Sequence, residues 1–238
     1  MRNAILVLNA GSSSIKFSLF IVRGQLLTVE VRGKIEGLYT TARFSAKTAG
    51  GKVVAENDWP KGFTLGHAAA LDHLNAYLAS ETANDRLLGI GHRVVHGGLR
   101  HTGPVRVDAR VVADLETFVP LAPLHQPHNL TPIRRTLKLT PEMPQVACFD
   151  TAFHRTQPEV AQMFALPADL HHAGILRYGF HGLSYEHIAA VLPELDPAAA
   201  SARTIALHLG NGASMCAMAD GRSVASTMGF TALEGLPM

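Results

Sequence analysis

Several features that would narrow the class of this chain are scarce or missing. Only two cysteines, Cys148 and Cys216, occur in 238 residues. They form no CxxC pair and lie in separate apolar strand-like runs, which argues against a structural disulfide and fits reduced, buried thiols. An excess of one charge is also missing. Twenty-one Lys and Arg stand against nineteen Asp and Glu, leaving a formal net charge of +2. There is no basic stripe to argue for nucleic acid and no acidic tail to argue for a solvating segment, so small polar or anionic ligands are the expected partners. No apolar run is long enough to be a membrane span or a signal-peptide core. The first, residues 4–8, is interrupted at once by Asn9 and by Ser12, Ser13 and Ser14, and a cytoplasmic protein without membrane contact is expected. Histidine is abundant, at thirteen residues, yet the histidines are scattered and none completes a metal-ligand set. What the chain does have is a hydrophobic content of 47%, ample for the core of one large α/β domain or two modest ones.

Strand-like runs at 4–8, 17–22 and 26–32, separated by Gly- or Ser-containing turns, predict an antiparallel meander. The segment 66–80 then places Ala68, Leu71, Leu74 and Leu78 on one helical face, and 87–95 reads as a buried strand, a change to a β-α-β pattern. Helices are expected at 108–118 and after Pro127, followed by a short buried strand at 145–149 that ends on Asp150. In the second half a helix at 184–192 precedes a strand at 204–209. The runs 215–218 and 223–226 pair across an Asp220-Gly221 turn. The chain divides into residues 1–149, carrying substrate and phosphate elements, and residues 150–238. Leu6 to Ser14 and Leu207 to Ser214 both run from an apolar strand into an Asn/Gly/Ser turn, which suggests a duplicated phosphate-binding unit.

The turn Asn9-Ala10-Gly11-Ser12-Ser13-Ser14-Ile15-Lys16 offers backbone N–H groups and hydroxyls close to an anion, with Lys16 as a point charge. It lacks the Gly-x-x-x-x-Gly-Lys-Ser/Thr spacing of a Walker A loop, and by itself a Gly-Ser hairpin is often only a turn. Gly210-Asn211-Gly212-Ala213-Ser214 supplies a second such turn after a second strand. Arg93 closes the 87–95 strand, where its guanidinium could grip a carboxylate bidentately or serve a structural ion pair. His92 and His96 are four apart but flank Arg93-Val94-Val95, so a strand is expected there and not a zinc helix. His125 lies in a proline-bounded loop before a helix, suited to an anion or to capping. His181 stands between Gly179-Phe180 and Gly182, where it could stabilise charge on a transferring phosphoryl group. Asp150 follows a buried strand and needs a metal, a cation or hydrogen-bond donors, unless it is an N-cap. Mg²⁺ held through water would suit ATP chemistry there.

In order along the chain, NAGSSSIKF, GHRVVHGG, PLAPLHQPHNL, CFDTAFH, RYGFHG and HLGNGAS followed by STMGFTALEGLPM resemble the acetate kinase (acetokinase) family over nearly the whole length. The resemblance implies an α/β, actin-like, ribonuclease H-like fold of two duplicated domains closing on ATP and acetate, with the second domain incomplete here. It implies transfer of the ATP γ-phosphoryl group to acetate, giving acetyl phosphate and ADP, with Mg²⁺ or Mn²⁺ as cofactor and a homodimer at full length. Carried over by motif, Asn9 positions the metal, and Ser12, Ser14 and Lys16 lie near the phosphates. His208, Leu209, Gly210, Asn211 and Gly212 form the second phosphate loop. Arg93 binds the carboxylate or the moving phosphoryl group, His125 and His181 stabilise charge, and Asp150 organises metal and acetate. Val95, Leu124 and Phe180 shape the pocket for the substrate methyl.

The chain departs from the family pattern twice. Relatives commonly read Phe-Thr-Pro-Leu-Glu-Gly where this chain has Phe230-Thr231-Ala232-Leu233-Glu234-Gly235, which leaves propionate open as the substrate. Relatives also continue past Met238 with Gly-Thr-Arg-Ser-Gly-Asp and an adenosine-binding part, so low turnover, or a non-catalytic fragment, is expected of a chain without them.

Overall fold

Alternating side chains build the first part of the chain. In the computed structural model, which describes residues 1–237, strand β2 (Ser14–Arg23) buries Ile15, Phe17, Leu19 and Ile21 and turns the residues between them the other way, as the period of a pleated strand requires. Strands β1 (Arg2–Ala10) and β3 (Leu26–Glu36) flank it as antiparallel neighbours, which is the expected meander. A second hairpin, β4 (Arg43–Thr48) and β5 (Val53–Asp58), extends it. The sequence reading missed this hairpin because β5 has no buried residue and therefore no alternation to detect. Helix α1 (Gly66–Glu81) leads to β6 (Asp85–Val94), which runs parallel to β1 as a β-α-β unit. Helix α1 packs His67, Ala70, Leu71, Leu74 and Leu78 on the sheet, while Ala68 is exposed; the apolar face is rotated by part of a turn from the expected one. Each fully buried Leu or Phe contributes about 1.5–3 kcal/mol. Phe17 stacks on Phe44 with ring centroids 6.3 Å apart. Gly33 sits opposite Phe17, and a Cβ there would lie 2.5 Å from the Phe17 ring.

The sheet continues through β7 (Val105–Arg106) and β8 (Gln145–Phe149) to give the order β5-β4-β3-β2-β1-β6-β8-β7. Helix α2 (Ala109–Glu116) begins at Asp108, whose carboxylate accepts the Val111 N–H at 2.8 Å, a side-chain N-cap. Helix α3 (Gln126–Leu139) starts just ahead of Pro127 and not after it, because proline in the first helical turn gives up an N–H that has no intrahelical partner.

The chain divides into two compact units that are not consecutive in sequence. Residues 1–94, 106–117 and 124–147 form the first, and 95–105, 118–123 and everything from Cys148 onward form the second. Met238, the last residue of the expected second domain and of the last motif, lies outside the described residues. In the second unit a 3-10 turn at Ala152–Thr156 is followed by short helices α4 (Glu159–Gln162) and α5 (Ala168–His172), by α6 (Gly182–Leu195) and by α7 (Pro197–Ala200). Strands β9 (Arg203–Leu209), β10 (Ala213–Ala219) and β11 (Arg222–Ser226) form an antiparallel sheet with β10 central. Between β10 and β11, Asp220 and Gly221 have φ of +50° and +69°, the left-handed pair of a type I′ hairpin turn, as anticipated. Both cysteines are free, Cys216 buried and Cys148 half-buried, and burial raises both thiols. No helix among the described residues is long and apolar enough to cross a membrane.

In the first unit the ring of His92 is 2% exposed, and its Nε2–H donates to Gln145 Oε1 at 2.8 Å. Burial lowers its pKa to about 4. An unfolded histidine titrates near 6.5, so the unfolded chain binds the proton first on acidification. The stabilisation from keeping this ring neutral is complete above about pH 6.5 and is lost as pH falls toward 4. Between pH 7 and pH 5 this ring accounts for about 2 kcal/mol of lost stability. Urea unfolding at the two pH values should show that difference shrinking by about this amount in His92→Gln.

Candidate functional site

In the first unit the site residues gather where β1 and β6 end. The parallel register pairs Leu8 with His92, so the next residues, Asn9 and Arg93, come side by side. The Arg93 guanidinium donates to Asn9 Oδ1 at 3.2 Å. Asn9 is also paired with Lys16 across the β1–β2 hairpin, and cross-strand partners share a face, so Asn9 and Lys16 project to the same side. The intervening turn is tight, with Gly11 N–H bonded to Ser14 C=O at 2.8 Å, and it leaves Ser12 exposed and Ser14 half-buried.

This turn is braced by side chains distant in sequence. His67, on α1, donates from Nε2 to the Gly11 carbonyl at 2.7 Å and accepts the Tyr39 hydroxyl at Nδ1, 2.8 Å away. A carbonyl only accepts, which fixes the tautomer. Asn129, on α3, donates to the Ala10 carbonyl at 2.6 Å. His128 stacks on His67 with centroids 4.4 Å apart. Burial, together with the imidazoles of His67 and His125, lowers the pKa of His128. His125 occupies the N-cap position of α3 but its side chain does not cap the helix. The sequence reading did not single out His67, Tyr39 or Asn129. Asn129 and His128 did lie inside the quoted PLAPLHQPHNL motif, the one signal that could have found them. Leu124, expected at a methyl pocket, is 66% exposed.

In the second unit Val95 and Phe180 are buried in one apolar cluster with Ala122, Leu176, Tyr178 and Met228, and Phe230 and Ala232 pack against it. Asp150 follows β8, is 2% exposed, and its carbonyl accepts the Gly182 N–H at 2.8 Å. The turn that follows has Thr151, not Asp150, as its N-cap position, and the Thr151 side chain does not cap it. His181 has φ +58° and ψ +18°, a left-handed conformation that costs a non-glycine residue about 1 kcal/mol and is characteristic of functional turns.

The ring of His181 is held by a hydrogen-bonded chain. Tyr185, whose phenol is pushed up in pKa mainly by burial, bonds Ser214 Oγ, and Ser214 Oγ lies 2.8 Å from His181 Nδ1. The other ring nitrogen of His181, Nε2, faces Gly212, where a Cβ would lie 3.2 Å away. His208 stacks on His181 with centroids 4.0 Å apart and is tied to Ser184 Oγ at 3.1 Å. The loop from His208 through Leu209, Gly210 and Asn211 to Gly212 closes on itself with Gly210 N–H bonded to Gly212 C=O at 3.2 Å, and residues 209–211 are exposed. Chemically, one unit offers an oriented guanidinium, an ammonium and a hydroxyl-bearing turn, and the other offers a buried carboxylate and an imidazole over an open Gly-rich loop. The cations and the turns are suited to anions, and the carboxylate to a cation or hydrogen-bond donors.

The family model described as the Acetokinase family matches residues 4–238. An acetate kinase from Nitrobacter hamburgensis is 49% identical over 237 residues, covering 99% of this chain and 58% of that protein. One from Rhodopseudomonas palustris is 48% identical, covering 100% and 60%. The fold is similar to a solved propionate kinase from Francisella tularensis (TM-score 0.87, 34% identity) and to Porphyromonas gingivalis acetate kinase (TM-score 0.82, 33% identity), each covering 99% of this chain and 60% of the other. The chain therefore spans less than two thirds of the length of these relatives. It shares their mixed α/β, actin-like fold.

Removing Ser214 should break the tyrosine–serine–histidine chain and leave a buried phenol without its partner. Ser214→Ala is expected to cost about 1–2 kcal/mol, read by urea unfolding. It should also take the partner from His181 Nδ1, visible as a change in its two ring ¹⁵N shifts.

Proposed function

The chain belongs to the acetokinase family, and on that premise we propose that it supplies the substrate- and phosphate-binding part of an ATP-dependent acetate kinase. The observation that carries this reading is the Asn9–Arg93 pair. A guanidinium oriented by a neutral carboxamide, beside a turn of small residues, is what recognition of a carboxylate next to phosphates needs. Arg93 grips the acetate carboxylate and the moving phosphoryl group. Ser12, Ser14 and Lys16 are the phosphate-binding element of the first unit, and the loop from His208 to Gly212, with Leu209, Gly210 and Asn211 between, is that of the second. His125 and His181 donate hydrogen bonds to the developing charge. Val95 and Phe180 of the second unit are assigned to the substrate methyl, as is Leu124 of the first.

Acetate is already ionised at neutral pH, so no base is required. A carboxylate oxygen bonds to the γ-phosphorus as the bridging P–O bond breaks in line, and the electron pair leaves with ADP. The protein contributes position and positive charge and no covalent intermediate. No cluster of three acidic, histidine or cysteine ligands exists among the described residues, and Asn9 Oδ1 already faces a cation. Mg²⁺ or Mn²⁺ would be held chiefly by phosphate oxygens and water, with Asn9 the candidate outer-sphere residue of the first unit and Asp150 that of the second. When bound, the ion neutralises phosphate charge. The enzyme is read as cytoplasmic and, in the form spanning the length of its relatives, as a homodimer.

Propionate is the second reading. Ala232, where relatives commonly have proline, packs against the cluster containing Val95 and Phe180, and a smaller wall leaves room for one more methylene.

Acyl phosphate formed from ATP, Mg²⁺ and acetate, trapped as the hydroxamate, tests the proposal. It should be measured on the chain and on the chain joined in register to the remaining length of the Nitrobacter relative. Arg93→Ala should lower kcat/KM roughly 10²–10³-fold; no acyl phosphate from either form, or a rate indifferent to Arg93, rejects it. Ala232→Pro should move the propionate-to-acetate ratio of kcat/KM toward acetate by about tenfold, and an unchanged ratio removes Ala232 from the acyl pocket.

A further inference from the structure

On the outward face of β2, β3 and β4, in the first unit, positive charge is concentrated in two adjacent cross-strand rows. In one row Lys16 is paired with Lys34, and Lys34 with Ser45; two residues along, Ser18 is paired with Arg32, and Arg32 with Lys47. These six side chains, with Phe17 and Gly33, line a cleft of about 320 Å³. Like charges directly opposed on a sheet repel, and here the arrangement occurs twice in succession. The next row shows the contrast: Glu36, Arg43 and Asp58 stand opposite one another, and Arg43 is ion-paired with Glu56 at 3.3 Å and with Asp58 at 3.2 Å. Lys34 reaches into that row to Glu36 at 2.6 Å. Glu36 and Glu56 border an adjoining groove and are occupied by these partners. Among the described residues, Lys16, Arg32 and Lys47 form no ion pair with a carboxylate. Only Lys16 belongs to the phosphate set assigned above.

We propose that this face is a binding site for a chain of linked phosphoryl groups, either free or as the tail of a nucleotide. The two rows lie about 7 Å apart along the strands and the strands about 4.8 Å apart, so a single phosphate reaches one row while three linked groups span both. The Arg32 fork binds one phosphoryl group bidentately, Lys47 and Lys34 act as point charges on either side, and the Ser18 and Ser45 hydroxyls donate at opposite corners. Bound anion also relieves the repulsion within each row. The site does not depend on the assignment of Arg93.

Inorganic tripolyphosphate, titrated calorimetrically at low ionic strength without Mg²⁺, is the probe. Wild type should bind it with an affinity that falls as salt is added, and the double variant Arg32→Gln, Lys47→Gln should bind at least tenfold more weakly. Arg93→Ala should bind as wild type does, which separates this site from the acetate site. Without ligand the double variant should melt no lower than wild type, since it loses only opposed cations. Equal affinity in the double variant, no binding by wild type, or a lower melting temperature of the ligand-free double variant overturns the proposal. Competition by ADP or ATP assigns the site to a nucleotide tail and its absence to a free polyphosphate, and either result upholds it.

Discussion

The two-residue period of strand β2 is the constraint on which the first unit depends. One set of positions, Ile15, Phe17, Leu19 and Ile21, is buried, the first two in the core with α1 and the last two in a smaller cluster with Ala4, and the alternate set places Lys16 and Ser18 on the opposite face. A register slip of one residue would bury Lys16 and expose Ile15, Phe17, Leu19 and Ile21, exchanging the core for the charged face. Because β1 and β3 are locked to β2 by pairing, the same period carries Asn9 to the side of Lys16 and collects Lys34 and Arg32 beside it. Hydrophobic burial thus positions the charged groups without any of them contributing to the core.

The functional turns have a different problem: short Gly/Ser segments have little side-chain packing of their own, and a flexible loop binds an anion at an entropic cost. Each turn is fixed from outside. Carbonyls of the β1–β2 turn are taken up by His67 and Asn129 from two helices. The second loop leans on His181 and His208, which stack on each other and are tied to Ser214 and Ser184. These partners order the loops through hydrogen bonds and ring stacking. The strained backbone of His181 fits the same logic, since a left-handed residue persists only where its surroundings determine it.

Phosphoryl transfer to a carboxylate asks little covalent chemistry of a protein and much placement. The proposed site is made of such groups: a guanidinium, an ammonium, imidazoles and backbone N–H groups, with the buried carboxylate of Asp150 among the residues assigned to it. Several histidines lie outside that set. His92, His96 and His154 are each lowered to about 4, chiefly by burial, and serve as neutral hydrogen-bonding elements of the interior.

The sequence by itself determined the elements whose periodicity is strong or whose turn chemistry is specific: the opening meander, the β-α-β step, the Asp220-Gly221 hairpin, and the ordered motifs that carried Asn9, Arg93, Asp150 and His181. These are local properties, set by side-chain alternation and by residues that tolerate left-handed backbone. It did not determine the β4–β5 hairpin, whose outer strand has no buried side to mark it, nor which alanine of α1 faces the core. Nor did it reveal that His67 and Asn129 hold the first turn, that Tyr185 and Ser214 form a hydrogen-bonded chain to His181, or that four cations share one sheet face. Those relations join residues 15 to 119 positions apart, and only the tertiary structure decided them, because strand register and helix docking fix which distant side chains meet.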